Sequence, residues 1–421
     1  MDATSNRRRL LKAALAGSAG VAGAAIGAGP WFIRDLRAAD EIRIAGIHDA
    51  SGGPEIYGRP MSDALTLAVE ETNAAGGLLG RPLRLIHYDP QAISENYALH
   101  ATEAATKEKV AVVFGGITSS SREAIRPVLR RLDTLYFYSA LYEGGVCDRN
   151  CFCTGSTPGQ TMAKLIPYAM KKFNGEKVYV LAADFLYGQI AAKWIKRYTR
   201  DNGGTAVQTD FIPIDVAEFA PTIKKIQAAK PDIVITALVR STHIAFYRQW
   251  AAAGMKTQIP MASTTFGAGN EQVVTKPEEH NGILAAYAYF QEVKSPANTD
   301  FIKRYRKRFG ETAAPLTEVA MMTWHGFQLW AAGVEKAATI ERLKVIEALE
   351  TNLSVTGPGG KTTIDPATHH AILDVYLAEA QNRQFKVLES FSQQKPADTE
   401  AVCDLIKNPG DDQQYVISEK V

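Results

Sequence analysis

Short, continuously apolar runs that alternate with amphipathic helical stretches, in two successive series, constrain this chain more than any other feature. In the first series Ile42–Asp49, Leu83–Asp89, Val110–Gly115 and Leu135–Ser139 read as strands. Their β-branched residues follow one another without alternation, the pattern of strands covered on both faces of a parallel sheet. Between them Gly58–Ala75 and a stretch near Ser94–Lys107 carry apolar residues at helical spacing, and Gly76-Gly77 ends the first. The second series starts near Pro158. It runs through a helix to Lys172, strand Val178–Asp184, helix Tyr187–Asp201 and strand Ala206–Ile214. Helix Ala217–Ala229, strand Ile233–Leu238, helix Thr242–Ala253 and strand Ile259–Ser263 complete it. Two βα series of similar length predict an α/β fold of two Rossmann-like lobes with parallel sheets.

Past Gly282 the pattern changes to a strand, Ile283–Phe290, three helices over about 299–350, and closing strands up to Phe391 introduced by Gly357-Pro358-Gly359-Gly360. A block of helices without a full sheet cannot stand as a third domain, so it completes the two lobes and the chain crosses between them several times. The expected division is 41–157 with 289–366 for the N-terminal lobe, 158–288 with 367–392 for the C-terminal lobe, and a tail, 393–421, laid on the surface. Two lobes joined by several crossovers enclose a cleft that closes by a hinge, and ligands of parallel sheets sit beyond the carboxyl ends of the strands.

Residues 1–39 read as a targeting segment. Arg7-Arg8-Arg9-Leu10-Leu11-Lys12 resembles the twin-arginine export motif, Ala13–Ile33 is free of charge, and Leu36-Arg37-Ala38-Ala39 offers small residues for cleavage. The run is long enough to cross a bilayer as a retained anchor, but its modest hydrophobicity favours a cleaved signal and a periplasmic protein. This segment holds Arg7, Arg8, Arg9, Lys12, Arg34 and Arg37 against Asp2 and Asp35, so the formal net charge of +2 belongs to the leader. The remainder is nearly balanced, which gives no footprint for nucleic acid. Cys147, Cys151 and Cys153 fall in one short segment and Cys403 lies near the end. The spacing does not suit zinc; a Cys147–Cys151 disulfide, or a bridge tying the tail through Cys403, fits an oxidising compartment.

The unit Val110–Ile125 carries the clearest chemistry. A buried strand ends at Gly115-Gly116, and Ser119-Ser120-Ser121 open a helix with apolar residues at Ile125, Val128, Leu129 and Leu132. The free N–H groups and positive dipole end of such a helix suit a carboxylate, carbonyl or amide oxygen. Catalytic patterns are missing. His48-Asp49 lacks a nucleophile elbow to serve, no Walker loop occurs, and His369-His370 point to opposite faces of a strand, which argues against a metal.

Several fragments resemble the type I periplasmic solute-binding proteins of ABC importers, a family related to branched-chain amino acid-binding proteins. They are Gly76-Gly77-Leu78-Leu79-Gly80, Gly116–Arg122, Tyr142-Glu143-Gly144 and Lys230-Pro231-Asp232. Val113-Phe114-Gly115 before Thr118-Ser119-Ser120-Ser121-Arg122, Phe137–Gly144, Tyr289-Phe290-Gln291 and Thr363-Ile364-Asp365-Pro366 are closer to the amide- and urea-binding branch. The resemblance implies no catalysis and no cofactor, an ABC permease with its ATPase as partners, and urea, a short-chain amide or a related small polar solute as ligand. A branched-chain or other amino acid, or another small carboxylate, is the alternative. A cytoplasmic amide-sensing regulator shares the fold, and the export leader argues against it.

By the same resemblance Ser119 hydrogen-bonds the ligand from its helix start, and Tyr138 and Ala140 follow the next strand where ligand contacts are made. Tyr57 stands in the loop after the first strand. Phe185 occupies a position where amide binders carry a tyrosine, and nearby Tyr187 supplies the hydroxyl; Thr264 follows the last strand of the second series. Departures are as informative. Ile117 replaces an aromatic residue, Ser139-Ala140-Leu141-Tyr142 stands for Pro-Thr-Pro-Tyr, and Arg240 occupies a place usual for small residues, where it offers a partner to an anionic group.

Overall fold

The structure is a computed structural model that describes residues 41–416; the expected leader lies outside the described residues. Strands β1 (Ile42–Ile47), β2 (Leu83–Tyr88), β3 (Val112–Gly115), β4 (Leu135–Tyr138) and β5 (Cys151–Cys153) form a parallel sheet in the order β2-β1-β3-β4-β5. Helices α1 (Glu55–Ala74), α2 (Ser94–Thr106) and α3 (Ser119–Arg131) connect them. The second sheet begins after α4 (Met162–Phe173). Its parallel part comprises β6 (Lys177–Ala183), β7 (Thr205–Ile212), β8 (Ile233–Ala237), β9 (Met261–Ser263) and β10 (Leu284–Tyr287), in the order β7-β6-β8-β9-β10. Between these strands run α5 (Leu186–Asp201), α6 (Ala220–Ala229), α7 (Arg240–Ala252) and two single turns, α8 (Glu271–Val274) and α9 (Pro277–His280).

Every residue of β3 and of β8 is buried, as their unbroken apolar runs require of strands covered on both faces. Each such side chain withdrawn from water contributes about 1.5–3 kcal/mol. The two parallel parts share one strand order. Each therefore reverses direction of winding once, between β1 and β3 and between β6 and β8, the point where such sheets leave a crevice.

After β10 the chain returns to the first sheet as α10 (Pro296–Phe309), α11 (Glu318–Ala337) and α12 (Arg342–Leu349). Helix α11 packs beside α1, and its Phe327 and Trp330 lie 6.1 and 6.2 Å from the ring of Phe114 on β3. Hairpin β11 (Ser354–Gly357)–β12 (Gly360–Ile364) follows, so the Gly-Pro-Gly-Gly sequence is the hairpin's own turn. Although the sequence division puts it with the first lobe, β12 hydrogen-bonds to the start of β13 (Ala371–Gln381). Strand β13 runs antiparallel to β10 and pairs with β14 (Gln384–Gln394), which completes the second sheet.

Two expectations need correction. Of the two disulfide alternatives, Cys147–Cys151 falls and the bridge through Cys403 is found: Cys147–Cys403, with a sequence separation of 256, while Cys151 and Cys153 remain free and buried on β5. Tertiary pairing decides this: the Cys147 N–H donates to the Gln413 carbonyl, which brings the tail against residues 145–147. The tail is also more than a surface layer. It opens with α13 (Ala397–Glu400), and Asp398, Thr399, Cys403 and Leu405 are buried.

Where α11 begins, Glu318 is fully buried, accepts the Ser156 N–H at 3.2 Å, and leaves its second oxygen without a partner. Burial pushes its carboxyl up to about 7 from the ordinary 4.5. Between those values the folded protein keeps a proton that the unfolded chain releases. Stability is therefore full below the lower value and falls as pH rises through the upper one.

Two measurements follow from these contacts. Cys403→Ser is expected to lower the free energy of urea unfolding by about 2–4 kcal/mol. In the denatured, unreduced wild type only Cys151 and Cys153 should alkylate, and in Cys403→Ser Cys147 should join them. Glu318→Gln, which cannot ionise, should recover on the order of 2 kcal/mol at alkaline pH relative to wild type and nothing below the carboxylate range, read from unfolding at both pH values.

Candidate functional site

The carboxyl ends of the parallel strands converge on a cavity of about 310 Å³. Its walls come from Pro54 and Tyr57 after β1, Ala92, Ser94 and Tyr97 after β2, and Ile117–Ser120 after β3. Ala140 and Leu141 follow β4. The second lobe supplies Phe185 and Tyr187 after β6, Ile214 after β7, Val239 and Arg240 after β8, and Thr265 and Ala268 after β9; Val319 of α11 adds to the wall.

On the first lobe, Gly116 takes a positive φ of 75° in the turn between β3 and α3, a conformation glycine adopts without steric cost. Thr118 then caps α3. Its hydroxyl accepts the Ser121 N–H at 3.1 Å, while the Ser121 hydroxyl accepts the N–H groups of Thr118 and Ile117 at 3.0 and 3.1 Å. The cap is thus Thr118, and the N–H groups of Ser119 and Ser120 have no partner among the described residues. The Ser119 hydroxyl donates to Glu143 Oε2, so at this helix start the backbone rather than that hydroxyl is left to a ligand.

Across the cleft, Arg240 begins α7 with φ 58°, in the left-handed region that costs a non-glycine residue on the order of 1 kcal/mol or more. Its N–H donates to the Tyr57 hydroxyl at 3.4 Å, a bond that joins the two lobes. Its half-buried guanidinium makes no hydrogen bond or ion pair among the described residues. Tyr57 in turn donates to Glu271 Oε1 at 3.4 Å. Glu271 is fully buried, accepts the Gly267 and Gly269 N–H groups, and is pushed up to about 7 by burial. His243, 3.7 Å from the same oxygen, is pressed down to about 3 by burial and stays neutral.

The other tyrosines are committed in the same way. Tyr97 donates to Asp49 Oδ2 at 2.6 Å, and burial holds the Asp49 carboxyl above its ordinary range. Tyr187 and Thr264 share a bond of 3.1 Å. The rings of Tyr57, Tyr97, Phe185 and Tyr187 face the cavity while buried carboxylates or hydroxyls behind the wall hold the phenols of Tyr57, Tyr97 and Tyr187. Among the described residues no acidic side chain lines the cavity.

Of the residues proposed from sequence, the structure brings Ser119, Ala140, Tyr57, Phe185, Tyr187 and Arg240 to one cavity. Tyr57 arrives from the first turn of α1 rather than from a loop, because that helix starts at Glu55. Tyr138 does not reach it. That residue has no exposure, and its hydroxyl donates to the Ile117 carbonyl at 3.2 Å, bracing the turn from below. Thr264 stands behind Tyr187, and Thr265 takes the wall position. Tyr97 is the residue that sequence reasoning missed. The rule that sites follow strand ends points to the segment after β2 as much as to the others, and that segment carries it.

A family model described as "Periplasmic binding protein domain" matches residues 42–402. A relative from Brucella abortus (strain 2308), "Leu/Ile/Val-binding protein homolog 7", is 24% identical over 346 residues, covering 78% of this chain and 84% of the relative. Among solved structures, an R. palustris ABC-transporter solute-binding protein in complex with 4-hydroxybenzoate matches with TM-score 0.75 and 22% identity, over 85% of this chain and 98% of that one. A branched-chain amino acid transporter substrate-binding protein from Streptococcus pneumoniae, in complex with isoleucine, matches with TM-score 0.72 and 20% identity, over 83% and 98%. With strand order, cleft and family match in agreement, the chain belongs to the periplasmic binding protein family.

Proposed function

We propose that this protein is the solute-binding component of an ABC importer, exported through its twin-arginine leader, and that its ligand is a small organic carboxylate with an apolar body. The guanidinium of Arg240 on the cavity wall carries this reading: among the described residues it makes no hydrogen bond or ion pair, while the charge of Asp49 behind the wall acts on it. A half-buried cation facing a cavity gains most from an anionic partner, and the N–H groups of Ser119 and Ser120 add donors from the other lobe. Binding both sides of a carboxylate would favour the closed arrangement of the lobes. Aromatic and aliphatic walls then cover the remainder of the ligand, as in most small-molecule sites.

With no acidic side chain among the described lining residues, an amino acid's ammonium group meets no carboxylate there, which favours a plain carboxylate over an amino acid. Aromatic acids bound by structural relatives fall in this class. Urea or a short amide, the ligand class of the branch that the sequence resembles, satisfies the same N–H groups. It leaves Arg240 unpaired, however, and most of the 310 Å³ to water.

Calorimetry of the mature protein with benzoate, 4-hydroxybenzoate, isoleucine, urea and acetamide tests the proposal. The aromatic carboxylates are expected to bind more tightly than the others, and Arg240→Gln to weaken that binding at least about tenfold. Equal affinity of wild type and Arg240→Gln for every carboxylate, or binding of urea or acetamide alone, overturns it.

A further inference from the structure

Residues 403–415 cross from the end of the second sheet to the outer side of α3, and the loop after β4 is shaped to receive them. Besides the Cys147–Cys403 bridge, Val146 pairs with Gln414, and the Tyr415 N–H donates to the Gly145 carbonyl at 2.8 Å. A Cβ on Gly145 would collide with the Tyr415 carbonyl oxygen, and one on Gly144 with Asp398 Oδ2. The double glycine in Tyr142-Glu143-Gly144-Gly145 is therefore the space in which the tail lies. Arg126 donates to the Asp412 carbonyl at 2.6 Å, and Arg130 pairs with the Asp412 carboxylate at 2.7 Å.

One tail side chain reaches further in. Gln414 donates through Nε2 to the Gly144 carbonyl at 2.7 Å and accepts through Oε1 from Arg122 at 2.6 Å. Arg122 has no exposure; it lies 5.0 and 4.5 Å from the ring centres of Tyr138 and Tyr142, and its Nη1 has no hydrogen-bond partner among the described residues. Its other bonds go to Glu123 at 2.9 Å and Glu143 at 3.2 Å. A buried guanidinium already short of one partner depends on each that remains. Glu143 gives its second oxygen to the Ser119 hydroxyl at the cavity, and its carbonyl accepts from Trp194 of α5 at 3.0 Å. Glu143 is thus the junction of tail, α3, cavity wall and second lobe.

We propose that Gln414 is a positioning residue of the ligand site: by holding Arg122 in place against Glu143, it fixes the N–H groups of Ser119 and Ser120 at the cavity wall. Without that acceptor, Arg122 turns fully to Glu143, which then releases Ser119 and the start of α3. Gln414 lies beyond residue 402, where the match to the family model ends. The proposal rests on the reading that α3 begins at the ligand.

Two variants of the full mature chain test it: Gln414→Leu, which keeps bulk without polarity, and Gln414→Glu, which keeps the acceptor for Arg122. Amide hydrogen exchange of the ligand-free proteins, thermal melting, and benzoate affinity by calorimetry are compared. Gln414→Leu is expected to speed exchange within residues 117–122 and to weaken benzoate binding, each about tenfold. Other segments of the first sheet should exchange as in wild type, and Gln414→Glu, which keeps the acceptor for Arg122 but gives up the donor to the Gly144 carbonyl, should lie closer to wild type than Gln414→Leu in both readouts. Unchanged exchange at 117–122, or a rise spread evenly over all elements together with a lower melting temperature, overturns the proposal. If the wild type binds no benzoate while exchange responds as expected, the carboxylate reading falls and the positioning role stands.

Discussion

A parallel sheet covered by helices on both faces leaves only its strand ends open, and the rest of this structure depends on that constraint. Eight of the ten parallel strands, β1–β4 and β6–β9, deliver their carboxyl ends to one cleft, so nearly every cavity residue follows on a strand. The shared strand order makes the two walls equivalent in origin. Chemistry distinguishes them: one presents a helix start with free N–H groups, the other a cation in a left-handed conformation.

Selectivity arises by subtraction. Most polar groups around the cavity are already spent on the fold: Tyr57 on Glu271, Tyr97 on Asp49, Tyr187 on Thr264, Ser119 on Glu143. Committing these donors removes them from the ligand and turns tyrosines into apolar walls. The Tyr57 hydroxyl also ties the lobes together through Glu271 and Arg240. The lobes are therefore held together by protein–protein bonds.

Strand ends lead from the sequence to the cavity lining wherever the strand-to-helix turn carries the residue outward. Ser119, Ala140, Phe185, Tyr187 and Arg240 reach the cavity because the strand-to-helix turn leaves them no other direction. The same rule fails by one residue at Thr264, where the turn after β9 gives the wall to Thr265. It fails at Tyr138 because the last residue of a strand still alternates between faces, and this one faces the packed side. Tyr97 went unread because it enters from the first turn of α2, past a segment with no strong motif.

Periodicity along the chain by itself determined the two βα series, their parallel character and the position of the cleft, since buried strands and capped helices are local properties of neighbouring residues. Only the tertiary structure decided which groups remain free within that cleft and where the tail goes. Partners such as Arg122 and Gln414, joined by a hydrogen bond, or Cys147 and Cys403, joined by a disulfide, are hundreds of residues apart, and no local pattern records their pairing. The glycines at 144 and 145 show the limit: the sequence displays a turn, but the backbone that fills the space beside it comes from the far end of the chain.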